Sequence, residues 1–523
     1  MPNQMPTEIQ LNHPEIVQEV DVIILGGGLA GLGAAYHLKK SSAQTFVILE
    51  ANNIPGGRIL AGNLHNSNMI ETEKDSENVI NAGAQWLHGR ENPLFEIANK
   101  HGLLSDELSE EGLGVYLRND GYRFNEFLVN KVDFIVGQIL EKCESFAQNP
   151  NTQESIPKSI GSYFITEFDK RLSEFKSDHE KVLAKQLLDW HIRFQIIDNS
   201  CLSIDDVSAK SWGTYSFNGE SCQAHINFKK SFYDIIEVLV EEIGKNKIKC
   251  NNTVEKICWG LLFNENNADD GKPSNMPKNL ILTKNGNVFV AKHVICTFSL
   301  GVLKNKMNNM FQPQLPNTHQ MAINSMGFAA IDKIFLQFDT AWWGNEKGFQ
   351  LIFEDSHYEN ADWTRMISGF DILHPGPPNT LLCWIGGMGA IEMEKQKDEE
   401  IIDKILQLLQ KFTKSHISKP INYYVTRWHT NPLVCGAYSY CSTKCDDDNI
   451  LPKNLSIPVF YKNLNIKNCP INVNNVDEHT NDGPLLLFAG EACHDKYYST
   501  AHGAFISGIE QATKVIEYIQ NAK

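Results

Sequence analysis

The sequence has no run of 18 apolar residues, so nothing in it reads as a membrane-spanning helix. It has no Cys-x-x-Cys pair. Its 12 cysteines are scattered from Cys143 to Cys493, which excludes a disulfide framework or a zinc-ribbon spacing and reads as reduced thiols. No metal site is expected. Positive charge is in short supply: 47 Lys and Arg against 63 Asp and Glu leave a formal net charge of −16. That balance argues against a nucleic-acid-binding surface. With 36 glycines and 20 prolines in 523 residues, the chain is neither collagen-like nor of low complexity. Met1 to Val20 lacks the basic start and apolar stretch of a secretory signal, and Asn521-Ala522-Lys523 is not an SKL-type address. A cytoplasmic location without a membrane partner is therefore expected; the oligomeric state is left open.

What the sequence does contain starts at Asp21. Asp21-Val22-Ile23-Ile24-Leu25 is a short β-branched run suited to a strand buried on both faces. Gly26-Gly27-Gly28-Leu29-Ala30-Gly31 follows, a G-x-G-x-x-G, and Leu32 to Lys40 then reads as a helix. A second strand, Thr45 to Leu49, ends in Glu50. Each residue type has a physical task in such a unit. Gly26 permits a tight turn, Gly28 lets the backbone approach a pyrophosphate, and Gly31 lets the helix lie close to the strand. The helix N-terminus offers free N–H groups to phosphate, and Glu50 stands where a carboxylate can accept from ribose hydroxyls. The combination predicts a dinucleotide site in an α/β, doubly wound fold.

From Glu50 onward the sequence resembles a known family. Glu50-Ala51, then Pro55-Gly56-Gly57-Arg58, is similar to the FAD-binding opening of the flavin amine oxidases. Gly83-Ala84-Gln85-Trp86-Leu87-His88-Gly89 followed by Asn92-Pro93, Thr297 to Lys304, Asp332 to Phe338, and Leu487 to Ala492 with Tyr497 to Ala504 resemble further segments of it. Together these motifs span Asp21 to Glu517 in the family's order, and they look most like its polyamine oxidase branch, which holds spermine oxidase and N1-acetylpolyamine oxidase.

The resemblance implies FAD as cofactor, O₂ as oxidant and a polyamine as substrate. It implies a flavin held by Gly26, Gly28, Gly31, Glu50, Arg58, Gly83, Ala84, Gln85, Trp86, Val254, Trp428, Gly490, Glu491, Thr500 and Ala501. For Trp428, core packing is an equal reading. Lys333 matches a lysine that holds a water near the flavin; on its own residues it reads as an exposed strand lysine. His88 matches a histidine near the substrate amine, against a structural histidine. Tyr438 and Thr500 would wall the substrate. Glu220 resembles an acid that holds a distal amine, but the spacing carries an inserted residue and a solvated loop acid reads equally well. Monoamine oxidases link FAD to a cysteine; Ala437 stands at that position and Cys435 lies two residues away, so FAD is expected to be non-covalent. The competing readings are a monoamine oxidase-like flavoenzyme and a lysine demethylase-like protein, although Ser299 to Gly327 is too short for the latter's helical hairpin.

The organisation expected is a Rossmann-like FAD-binding domain built from residues 18–105, 228–310 and 478–523. A mixed α+β substrate-binding domain would be built from 106–227 and 311–477. The polar stretches 264–279 and 445–453 are expected to be loops.

Overall fold

The computed structural model describes residues 16–42, 44–64, 78–148, 155–214, 225–265, 274–354, 362–463 and 483–521. Strand β1 (Ile16–Leu25) leads through the glycine turn into helix α1 (Leu29–Ser41) and back into β2 (Phe46–Leu49). Val22 to Leu25 are fully buried, as an apolar run with no polar face requires. β2 pairs parallel to β1, from Val22 opposite Phe46 to Leu25 opposite Leu49. On the other side of β1 the Val288–Cys296 strand also runs parallel, and the Leu486–Phe488 strand joins it with Val294 opposite Leu486. The short Ile248–Lys249 strand extends the far side of β2. Helices cover this parallel sheet: α1 packs on the helix Ala501–Asn521 and on the helix Asp234–Ile243. The fold is the doubly wound α/β type that the sequence pattern implies, and its strands come from both ends and the middle of the chain. In such sheets ligands bind beyond the carboxyl ends of the strands.

An antiparallel meander, Val254–Glu265 with Ser274–Thr283 and the first half of Val288–Cys296, completes the eight-stranded sheet. Part of the stretch expected to be a loop is therefore strand: Asn275 to Thr283 pair against residues 254–264. Lys278 there is buried and pairs with Glu19 at 2.6 Å. The second expected loop differs too. Thr443–Asp448 is a short helix capped by Ser442, and Cys445 and Ile450 anchor it in the core under the large sheet.

A six-stranded sheet forms the other half. Its order is Asn422–Val425, Ile331–Gln337, Thr380–Gly386, Ile367–Ile372, Gly348–Ile352 and Val115–Arg118. The Ile331–Gln337 strand is buried on both faces. Ile334 and Leu336 pack on the helix Asp398–Thr413, whereas Phe335 packs on Leu64, Ile80 and Leu382. Lys333 shares the second face. The helices Glu126–Gln148, Ile160–Arg171 and Asp178–Asp198 build a separate apolar core around Val132, Ile139, Phe164 and Leu187. Among the described residues no helix is long and apolar enough to cross a membrane.

Candidate active site

The turn after β1 behaves as its glycines demand. Gly26 has φ +108°, and a Cβ on Gly31 would lie 2.0 Å from the Gly26 carbonyl oxygen. Gly28, at the N-cap of α1, faces open space: a Cβ there would meet nothing closer than Gly56 O at 3.9 Å. Glu50 directly follows β2 and is buried. Its carboxylate accepts N–H bonds from Gly27 and Asn52, each at 2.7 Å. Burial pushes its pKa up while those N–H groups hold it down. Glu50 and Gly28 line a cavity of about 690 Å³ together with Asn252, Thr253 and Val254.

Further along that cavity, Arg58 donates to Ala437 O at 2.6 Å and to Glu491 Oε1 at 2.9 Å. The other Glu491 oxygen accepts the Ser439 hydroxyl at 2.6 Å and the backbone N–H groups of Ser439 and Ser499, each at 3.2 Å. The pair thus ties the loop after β2 to the C-terminal motif. Gly490 has φ +151° and open space where a Cβ would stand. Thr500 lines the cavity beside Ala501, but its hydroxyl caps the last helix: it accepts from Gly503 N and donates to Tyr497 O. Its hydroxyl is committed to those two bonds.

Lys333 lines the cavity as well. Its Nζ donates to Asn81 O at 2.9 Å, Gly83 O at 2.8 Å and Gln85 Oε1 at 2.9 Å, and sits 4.5 Å over the Trp384 ring. Burial pulls its pKa down to about 7, with Glu111 acting in the opposite sense. Gly83 to Trp86 line the wall around it. Trp428 lines it too, its indole N–H donating to Ala82 O at 3.3 Å.

His88 pairs directly across two short antiparallel strands with His225. The two rings meet edge to face with centroids 5.2 Å apart; Trp86 stacks on His225 at 4.6 Å and on Trp384 at 5.8 Å. Burial, then His225 and His502, pull the His88 pKa down to about 3. His88 is therefore a neutral imidazole near neutral pH, fitted to hydrogen-bond an amine rather than to take its proton.

The cavity wall also carries Glu111, Asp198 and Asp371. Burial raises the pKa values of Glu111 and Asp371 to about 8 and about 7, with the neighbouring Asp198 and Asp371 adding to it for Glu111; Asp198, more exposed at its helix end, is shifted in the same direction. Asp371 accepts from Gln350 Nε2 at 3.3 Å. Tyr438 stands between, its hydroxyl donating to Ile197 O at 3.0 Å, its ring packed with Trp384, Ile331 and Ala437. Cys435 is absent from the residues that line this cavity, whereas Ala437 is among them.

The structure brings every expected site residue to this one cavity except Gly31, which acts from beneath the turn, and Glu220, which lies outside the described residues. The sequence reading missed Glu111, Asp198, Asp371 and His225. One signal was present: Asp371 stands between Phe370 and Ile372 in the strand Ile367–Ile372, where an acid is uncommon. A dinucleotide fits the residues at the other end. Two open glycine backbones, a helix N-terminus without a side-chain cap and a buried carboxylate at the strand end are what a pyrophosphate and ribose require.

A family description, flavin-containing amine oxidoreductase, matches residues 29–516. The chain is 28% identical to a peroxisomal N(1)-acetyl-spermine/spermidine oxidase of Bos taurus, over 95% of this chain and 94% of the relative. It is 25% identical to a probable polyamine oxidase 5 of Arabidopsis thaliana, over 96% and 99%. Among solved structures, cyclohexylamine oxidase from Brevibacterium oxydans superposes with a TM-score of 0.67 at 15% identity, covering 96% of this chain and 99% of that one. A redesigned putrescine oxidase superposes with a TM-score of 0.66, also at 15% identity and with the same coverage. With its glycine turn, its buried Glu50 and a family match over nearly its whole length, the chain belongs to the flavin-containing amine oxidoreductases.

Proposed function

We propose that this FAD-dependent amine oxidoreductase is a polyamine oxidase, acting on spermine, spermidine or their N1-acetylated forms and giving an aldehyde, a shorter amine and H₂O₂. The observation that carries this reading is a cluster of acids in the cavity. Glu111, Asp198 and Asp371 line the same cavity as the dinucleotide cradle, and Asp198, Asp371 and Lys333 all lie close enough to Glu111 to act on its charge. A substrate with one nitrogen has no use for three acids beyond the reacting position; a chain of spaced ammonium groups does. The identities to enzymes named for acetylated spermine and spermidine and for polyamine support the same reading.

When bound, FAD supplies the two-electron acceptor chemistry, and O₂ restores it. The rest falls to the protein. Glu50, Gly28 and Gly490 hold the dinucleotide. Trp428, Tyr438 and Trp384 wall the reacting centre with flat faces suited to aliphatic chains and cations. The reacting nitrogen must be unprotonated, although a free alkylammonium titrates near ~10. The burial that brings Lys333 down to about 7 acts on an amine placed beside it in the same direction. The remaining ammonium groups extend to Glu111, Asp198 and Asp371, which ionise as they pair and hold the chain in register. His88 hydrogen-bonds a substrate nitrogen as a neutral ring. Lys333 fixes the Asn81–Gln85 wall of the reacting centre with its three N–H bonds.

Release of H₂O₂ and identification of amine products with spermine, spermidine, N1-acetylspermine, N1-acetylspermidine and tyramine test the assignment. Turnover of at least one oligoamine with a shorter amine as product is expected. Turnover of tyramine alone would leave a monoamine oxidase.

A further inference from the structure

Asp332 and Glu394 are acids that the reaction as described does not use. Asp332 precedes Lys333, so its side chain leaves the opposite face of the strand, and it is 0% exposed. Glu394 follows the helix Gly387–Met393 and is 6% exposed. The Glu394 carboxylate accepts the N–H groups of His429 and Thr430, each at 2.7 Å. Asp332 Oδ1 accepts the Thr426 hydroxyl at 2.7 Å and Trp428 N–H at 3.1 Å. Asp332 Oδ2 is buried and meets no donor, yet the Glu394 carboxylate lies within hydrogen-bonding reach of Asp332. Two bare carboxylates do not rest together in a dry interior. A single proton on Oδ2, donated to Glu394, accounts for both facts.

We propose that Asp332 and Glu394, joined through that proton, are positioning residues that pin the 426–434 strap to the strand of Lys333. The strap gives the cavity Trp428, Asn431, Pro432, Leu433 and Val434; the strand gives it Ile331 and Lys333. Thr426 links the two directly, since its hydroxyl also accepts Lys333 N–H at 2.8 Å. The shared proton thus adds a side-chain tie between these two walls to the Thr426–Lys333 bonds. Burial first and Glu394 second raise the Asp332 pKa well above the carboxylate range. The other charged groups nearby are turned elsewhere. Lys333 Nζ points to Asn81, Gly83 and Gln85, Arg427 reaches Gln396 O and Asp398, and Lys395 pairs with Glu392. His429 presents only its backbone to the pair. The inference stands on the family-level site and is independent of which amine is oxidised.

In the unfolded chain Asp332 ionises near ~3.9, whereas in the fold it keeps its proton to a higher pH. Across that window the folded protein binds one more proton, so stability falls as pH rises. Asp332→Asn keeps the Oδ1 acceptor and donates to Glu394 at every pH. The test compares FAD-loaded wild type, Asp332→Asn and Asp332→Ala by thermal melts from about pH 5 to about pH 9 and by the visible flavin spectrum. The Asn variant is expected to fold with a wild-type spectrum and to gain Tm over wild type steadily as pH rises. The Ala variant is expected to show an altered spectrum that the Asn variant restores. Parallel Tm curves for wild type and Asn, an Asn variant that fails to fold or hold flavin, or an Ala variant with a wild-type spectrum would each overturn the proposal.

Discussion

Lys333 holds three acceptors with its ammonium group and yet is buried deeply enough to titrate near neutrality. Its folded-state pKa of about 7 lies below that of a free lysine, so between about 7 and ~10.4 the unfolded chain binds the extra proton. Wild-type stability therefore rises through that window more steeply than that of Lys333→Met, and melts at several pH values check it. Lys333→Met should also keep FAD while slowing flavin reduction or reoxidation by roughly 10²-fold, the scale of a lost proton-handling group. Stopped-flow measurement of both half-reactions decides this; wild-type rates in both would remove the role. The three acids make a second prediction at this scale. Glu111→Gln or Asp371→Asn should raise KM for a polyamine about tenfold, as the loss of one charged hydrogen bond does, with kcat nearly unchanged. Their raised pKa values, about 8 and about 7, leave them protonated in the empty cavity at lower pH. Wild-type KM should then fall as pH rises through 7 toward 8, and the Asp371→Asn profile should be flatter. A pH-independent KM would contradict the pairing.

Among the elements, the β1–turn–α1–β2 unit was legible because its signals are local: a run apolar on both faces, glycines at fixed offsets and an acid at the strand end. The Ser274–Thr283 strand was hidden because its first residues are polar and owe their conformation to pairing with Val254–Glu265. The Thr443–Asp448 helix was hidden because three acids in a row look like a solvated loop, while its two anchors, Cys445 and Ile450, stand five residues apart. The glycine turn gives the sharpest element-scale prediction. A Cβ at Gly31 would stand 2.0 Å from the Gly26 carbonyl, and no rotamer relieves a contact with backbone. Gly31→Ala must therefore push α1 off the sheet, at a cost of several kcal/mol by analogy with overpacked cores. The variant should purify with little or no flavin, as read from the ratio of visible to ultraviolet absorbance; a fully yellow Gly31→Ala protein would refute the close approach.

Across the whole molecule, the cavity is assembled from segments that no local pattern connects. Glu111, Asp198 and Asp371 come from a loop, a helix end and a strand, separated by tens to hundreds of residues. His225 meets His88 only because two short strands pair. Those residues carry no spacing to read, which is why the cavity lining near the glycine turn was legible in the sequence and the acids were not. The same assembly keeps Ala437 at the cavity wall and Cys435 off it. Acid precipitation should accordingly leave all the flavin in the supernatant and a colourless pellet; a yellow pellet would mean a covalent link.

The most direct test of polyamine oxidation is anaerobic rapid mixing of the FAD-loaded protein with spermine, spermidine, each N1-acetyl form and tyramine, following the loss of flavin colour. Fast bleaching by at least one oligoamine and slow or no bleaching by tyramine is the predicted result. Fast bleaching by tyramine, with every oligoamine inert, would contradict it.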